Sequence, residues 1–243
     1  MPTQERERTG FEKWQDGINK APGDAAWNAW DCEIRMAVDE YNRHLSRTSG
    51  YRLLDWRLIK AILWVETGAK NAEWRSKPMQ IGVRGDPGLA SFLSGKEGGD
   101  LIVAPAWKGR LTMQSARAMP THNIRAGIGY LLMRMAILEF RTITGADSRV
   151  YETTVKAGDS FDKIGKVQGT TIDNLKKLNP HVVMLRPGQI LKYQKASNQR
   201  IISGWRVIST ASIANRYNGG GDPNYAKKLD VALTLARNGS VAP

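Results

Sequence analysis

Cysteine is almost missing: Cys32 stands alone in 243 residues. An intramolecular disulfide and a Cys-based metal site are thereby excluded. Cys32 falls in an apparent helix with no evident histidine partner, so a buried or inert thiol is expected. Histidine is also sparse: His44, His122 and His181 are scattered and no HExxH pair occurs, so neither a metal nor a cofactor is expected. No uninterrupted apolar stretch reaches the roughly 18 residues that cross a bilayer, which argues against a transmembrane segment. The opening MPTQERERTG has no apolar h-region. The expectation is a chain made in the cytoplasm without a signal peptide, and carried by a dedicated machine to any target outside it. Acids are in deficit, with 23 Asp and Glu against 36 Lys and Arg, a net charge of +13 and a pI near 10. Such a surface favours polyanions: nucleic acid, anionic membrane or an acidic cell-wall polymer. No nucleic-acid module stands out, so no nucleic-acid partner is expected.

What is present suits a globular protein of one or two domains: 41% hydrophobic and 24% charged residues. Residues 1–23 are polar, broken by Pro22-Gly23, and read as a loosely ordered lead-in. Asp24 is a candidate cap for a helix over 24–44, with Trp27, Trp30, Ile34, Val38 and Tyr41 at helical spacing. A second helix over 55–67 is apolar on two adjacent stripes, Leu58-Ile62-Val65 and Ile59-Leu63, and should be buried. The Gly- and Pro-rich stretch 69–120 reads as a long loop of functional type. Helical period resumes over 123–142, gives way to short β-like runs over 150–198, and returns over 205–215.

The apolar helix over 55–67 ends on an acid, Glu66. There the negative end of the helix dipole and apolar neighbours both disfavour a carboxylate, so its pKa should rise. A glutamate kept protonated near neutral pH is what a general acid for glycosidic cleavage requires. Taken alone, a glutamate in this position reads first as a solvated residue at a helix end.

Its neighbours add to the first reading. "ETG" at 66–68, "PMQIG" at 78–82, "NIRAGIGYLL" at 123–132 and "ANRYNGGGDPNYAKKL" at 214–229 resemble, in order, the motifs of soluble lytic transglycosylases and goose-type lysozymes. The resemblance implies a mainly α, lysozyme-like domain that cleaves the MurNAc-GlcNAc bond of peptidoglycan. It implies Glu66 as catalytic acid and base, Gln80 and Tyr217 lining the sugar cleft, and Met79, Asn123, Asn218 and Thr67 shaping it. Thr67 stands where that family has serine, and Lys77-Pro78 where it has Gly-Leu before the methionine.

"YETTVKAGDSFDKIGKVQGTTIDNLKKLNPHVVMLRPGQILKY" at 151–193 resembles a LysM module, a small α+β unit of order βααβ that binds GlcNAc-containing glycans. Gly158 permits a turn, Asp159 or Ser160 can cap a helix, and Ile164, Leu175 and Leu191 fill a miniature core. The likeness implies a glycan groove between the loop at 157–160, with Gly158, Asp159 and Ser160, and the loop at 179–186, with Asn179 and Pro180. Over 150–198 eight bases face four acids, which adds salt-sensitive attraction to anionic wall polymers. The Tyr-Asn-Gly motif comes after this module. The expected domains are therefore the lead-in 1–23, a discontinuous catalytic domain 24–149 plus 200–243, and a LysM insertion 150–199. A short tether would raise the local substrate concentration.

Hydrolysis normally needs two carboxylates, whereas a lytic transglycosylase uses one Glu to protonate the glycosidic oxygen and then to accept the proton of the MurNAc 6-hydroxyl. Glu73 and Asp86 are the candidate second acids, and Asp86, before Pro-Gly, also fits a turn former. The leading expectation is a lytic transglycosylase targeted by LysM. With no export signal, this suggests an antibacterial effector of a type VI-like secretion machine, with a secretion component and an immunity protein as partners. The alternatives are a hydrolytic muramidase or phage endolysin, and a non-catalytic peptidoglycan-binding protein.

Overall fold

The computed structural model describes residues 7–239. In chain order the elements are α1 (Gly10–Ile18), α2 (Asp31–Leu45), α3 (Trp56–Glu66), α4 (Gly88–Ser94), α5 (Gly99–Ile102), α6 (Met113–Ala118), α7 (Pro120–Met135), β1 (Ala136–Thr144), β2 (Tyr151–Thr154), α8 (Phe161–Gln168), α9 (Ile172–Leu178), β3 (Ile190–Tyr193), β4 (Ala196–Trp205), α10 (Thr210–Arg216) and α11 (Tyr225–Asn238). The chain forms two compact units, one of residues up to 137 and from 202, the other of 138–201. The chain leaves the first along β1 and returns along β4, which pair as a two-stranded sheet. No helix among the described residues is long and apolar enough to cross a membrane.

The first unit is helical and centred on α3 and α7. Asp55 caps α3 by accepting the Arg57 amide at 3.0 Å, and the helix then buries Leu58 through Trp64. The stripe Tyr225, Leu229, Ala232 and Ala236 brings α11 against α3, while α7 packs against α2, α4, α5 and α6. Charges within this packing are matched. Arg125 of α7 is buried and held by Glu33 and Glu40 of α2. Lys60 of α3 donates to Asn28 at 2.6 Å and to Asp31 at 2.7 Å. Removing one partner of such a pair strands a buried charge and costs several kcal/mol.

Several expectations are corrected here. The lead-in holds α1, started by a capping box between Thr9 and Glu12. The helix expected from Asp24 begins at Asp31, because Asp24 turns back to accept the Ala26 amide at 2.8 Å and Asn28 donates to the Pro22 and Asp24 carbonyls. Trp27 still packs into the core, edge-on to Trp64 at 5.9 Å. The stretch 69–120 is built of short helices rather than one open loop. The helix expected to reach 142 stops at Met135, where Ala136 turns extended and the β-branched run of β1 follows. Trp205 ends a strand, and the next helix waits for the Ser209 capping box. Cys32 is exposed rather than buried, on the outward face of α2.

In the second unit β2 and β3 pair antiparallel, Tyr151 opposite Tyr193 and Thr154 opposite Ile190. Ser160 caps α8 and Thr171 caps α9. Gly169 ends α8 at φ +62°, a left-handed conformation that glycine adopts without strain. Val155, Ile164, Leu175, Val182, Leu191 and Tyr193 form the core. The compact unit spans 138–201, because it takes in parts of β1 and β4 beside the segment 150–199.

Candidate active site

Glu66 is the last residue of α3. The helix stops there because Gly68 turns left-handed, at φ +68°, and the amides of Thr67 and Gly68 both donate to the Leu63 carbonyl at 3.1 Å. A Cβ on Gly68 would come within 3.0 Å of the Trp27 ring. The glycine of "ETG" therefore serves both the stop and the packing.

Thr67, Met79, Gln80, Tyr217 and Asn123 are brought together beside this helix end. The Thr67 hydroxyl donates to the Pro78 carbonyl at 2.8 Å and accepts from the Gln80 side-chain Nε2 at 3.3 Å. Gln80 is the one non-glycine residue at positive φ, +52°, among the described residues. Such a conformation costs energy that the surroundings must over-determine, and it clusters at functional sites. Asn123, buried on α7, holds the segment before and after Gln80: its Oδ1 accepts the Met79 amide at 2.9 Å and its Nδ2 donates to the Ile81 carbonyl at 3.0 Å. The Met79 carbonyl accepts the Tyr217 hydroxyl at 3.1 Å. Asn123 and Tyr217 thus act on the backbone, positioning the turn that carries Gln80.

A cavity of about 140 Å³ opens beside these groups, lined by Glu66, Met79, Gln80, Ile81, Asp86, Tyr130, Tyr217 and Asn218. Burial pushes the Glu66 carboxyl up to about 7; a hydrogen bond from Tyr225 opposes that rise and the Asp86 charge adds to it. The acid is therefore close to half protonated at neutral pH. Asp86 is fixed by its loop, its two oxygens accepting the Gly82 amide at 2.8 Å and the Gly88 amide at 2.7 Å. It is a turn former that also faces the cavity. Glu73 does not line it. Bonds from Lys77 and Gln80 hold Glu73 below the usual carboxylate range, so it stays ionised.

Tyr225 is the residue that sequence reasoning missed. It lies at the start of α11, is 2% exposed, and donates to Glu66 Oε1 at 2.6 Å. It lies within the 214–229 stretch but was not singled out there; a tyrosine heading an otherwise apolar helical stripe is the signal, since a buried hydroxyl needs a partner. Tyr130, whose ring lies 5.7 Å from that of Tyr217, was also missed.

In the smaller unit, Gly158 takes φ +78°, Asp159 accepts the Lys156 amide at 2.7 Å, and Ser160 is the cap of α8. Asn179, expected to bind glycan, is 3% exposed. Its side chain clamps β3 instead, accepting the Lys192 amide at 2.9 Å and donating to the Lys192 and Leu175 carbonyls at 2.7 and 2.8 Å. Pro180 is exposed beside it. Val183 and Met184, on the same loop, present apolar surface that the sequence pattern did not single out.

Residues 153–193 match the family model of the LysM domain. The match agrees with the βααβ order of this segment, and it indicates peptidoglycan or glycan binding. No curated protein and no solved structure matches the chain.

Proposed function

We propose that the unit carrying Glu66 is a lysozyme-like glycosidase, a lytic transglycosylase of peptidoglycan, and that the LysM unit keeps the chain on its polymer. The observation that carries this reading is the carboxyl of Glu66, raised to about 7 beside a cavity walled by Gln80 and Tyr217. In the proposed reaction protonated Glu66 gives its proton to the glycosidic oxygen as the C1–O bond of MurNAc breaks, and GlcNAc leaves with a free hydroxyl. The Glu66 carboxylate then takes the proton of the MurNAc 6-hydroxyl while O6 bonds to C1. The 1,6-anhydro ring closes, Glu66 is protonated again, and no water is consumed. Tyr225 holds one carboxyl oxygen throughout, leaving the other for proton transfer.

A second reading, hydrolysis by a muramidase, is favoured by Asp86, which lines the same cavity. Two carboxylates flanking a bond are the usual hydrolytic arrangement. Digestion of purified peptidoglycan by the wild type and by Glu66→Gln separates the readings. Products one water lighter than the reducing sugars, lost in the variant, support the transglycosylase. Reducing-end products lost in the variant would move the assignment to the muramidase. Binding without cleavage by either protein would reduce the chain to a glycan-binding protein.

A further inference from the structure

A larger cleft, of about 350 Å³, lies in the same unit at the other end of α3. Leu58 lines it, eight residues before Glu66 and so about 12 Å away at 1.5 Å per residue. The two cavities share no lining residue.

Two non-helical segments, 50–55 and 205–208, contribute most of its walls. Between them the rings of Tyr51 and Trp205 meet edge-on at 4.9 Å, and both are fixed: Tyr51 donates to Asn42 at 2.8 Å and Trp205 to Thr48 at 3.0 Å. Leu53 and Val207 stand 75% and 76% exposed. Paired exposed apolar residues on a rigid aromatic cleft mark an interaction site more than a solvated surface.

The charge around the cleft has one sign in excess. Arg52, Arg206 and Arg237 line it against one acid, Asp55, which Arg237 already pairs at 3.1 Å. Burial and the neighbouring guanidiniums of Arg216 and Arg134 disfavour the charge on Arg206, whose guanidinium donates to the Ala136 carbonyl and has no carboxylate partner among the described residues. Arg52 has no partner among the described residues. Nor, among the described residues, do the backbone amides of Arg52, Leu53, Val207 and Ile208. Unpaired amides along non-helical segments are what an added peptide strand uses for its carbonyls, and an apolar small molecule has no such use for them.

We propose that this cleft docks an extended acidic segment of a partner protein, seating one large apolar side chain against Tyr51 and Trp205. The acidic groups answer Arg52 and Arg206, and the strand's carbonyls answer the free amides. This inference is independent of the assignment of Glu66.

The test uses the full chain and fluorescence polarisation with labelled short peptides rich in Asp and Glu around a central Leu, Phe or Trp. Matched peptides with Lys for the acids serve as controls, and phosphatidylglycerol vesicles form a separate arm. The acidic peptides should bind, more weakly as salt rises, and the lysine peptides should not. Leu53→Asp, Val207→Asp and Arg52→Glu should each weaken binding by about tenfold or more while keeping the wild-type unfolding midpoint, since all three positions are exposed. Failure of every acidic peptide to bind, or equal binding of the lysine peptides, would overturn the proposal. So would vesicle binding abolished by Leu53→Asp without any peptide binding, which would make the cleft a membrane contact.

Discussion

Replacing Glu66 by glutamine should stabilise the protein, and only above acid pH. The Glu66 carboxyl is raised from 4.5 to about 7 in the folded chain. Between those values the folded state holds a proton that the unfolded state releases, so stability falls as pH rises through the window. At about 1.4 kcal/mol per pH unit the window converts to about 3 kcal/mol. Glu66 is only part-buried, and the water it keeps reduces this to about 2 kcal/mol. Glutamine is neutral throughout and still offers Tyr225 an acceptor. The variant should match the wild type at pH 4 and exceed it by about 2 kcal/mol at pH 8. Urea unfolding followed by tryptophan fluorescence measures this cleanly, because all eight tryptophans belong to the unit that carries Glu66. An equal difference between the two proteins at both pH values would refute the reasoning, as would a variant weaker at pH 8.

Tyr225→Phe removes a donor that favours the ionised carboxylate, so the alkaline limb of the cleavage profile should move up by roughly one pH unit. A pH–rate series on solubilised glycan strands reads the shift. Gly127→Ala would put a Cβ 2.5 Å from Met79 Sδ, while Asn123 and Tyr217 anchor Met79 by its amide and carbonyl. A loss of about 1–3 kcal/mol in urea unfolding is expected, together with lowered activity. Asn179→Ala should destabilise the LysM unit by about 2 kcal/mol by leaving the Lys192 amide and carbonyl unpaired, visible as faster exchange of the Lys192 amide. Exported to the periplasm of a susceptible host, the wild type should lyse cells and Glu66→Gln should not, as turbidity records.

What was legible in the sequence was local. Asp55 and Gly68 bracket α3 because a cap and a left-handed glycine act within one turn, so Glu66 at a helix end could be read directly. The βααβ unit was equally open, since Gly158, Ser160 and the apolar landmarks each fix a nearby element. Long-range choices were hidden. Ile137 and Leu138 continue a helical period, and only pairing with β4 turns them into a strand. Asn179 looked like a groove residue because nothing in its vicinity reveals that Lys192, thirteen residues on, takes its side chain. Tyr225 lies 159 residues from Glu66, and its role depends on α11 packing along α3.

A protonated carboxyl waiting at the end of α3 underlies every step of the proposed cleavage. Titration of the Glu66 side-chain carboxyl by carbon-13 NMR, assigned by its loss in Glu66→Gln, measures it in the intact chain. A midpoint near 7 is predicted. A midpoint near 4.5, the ordinary value for glutamate, would contradict it.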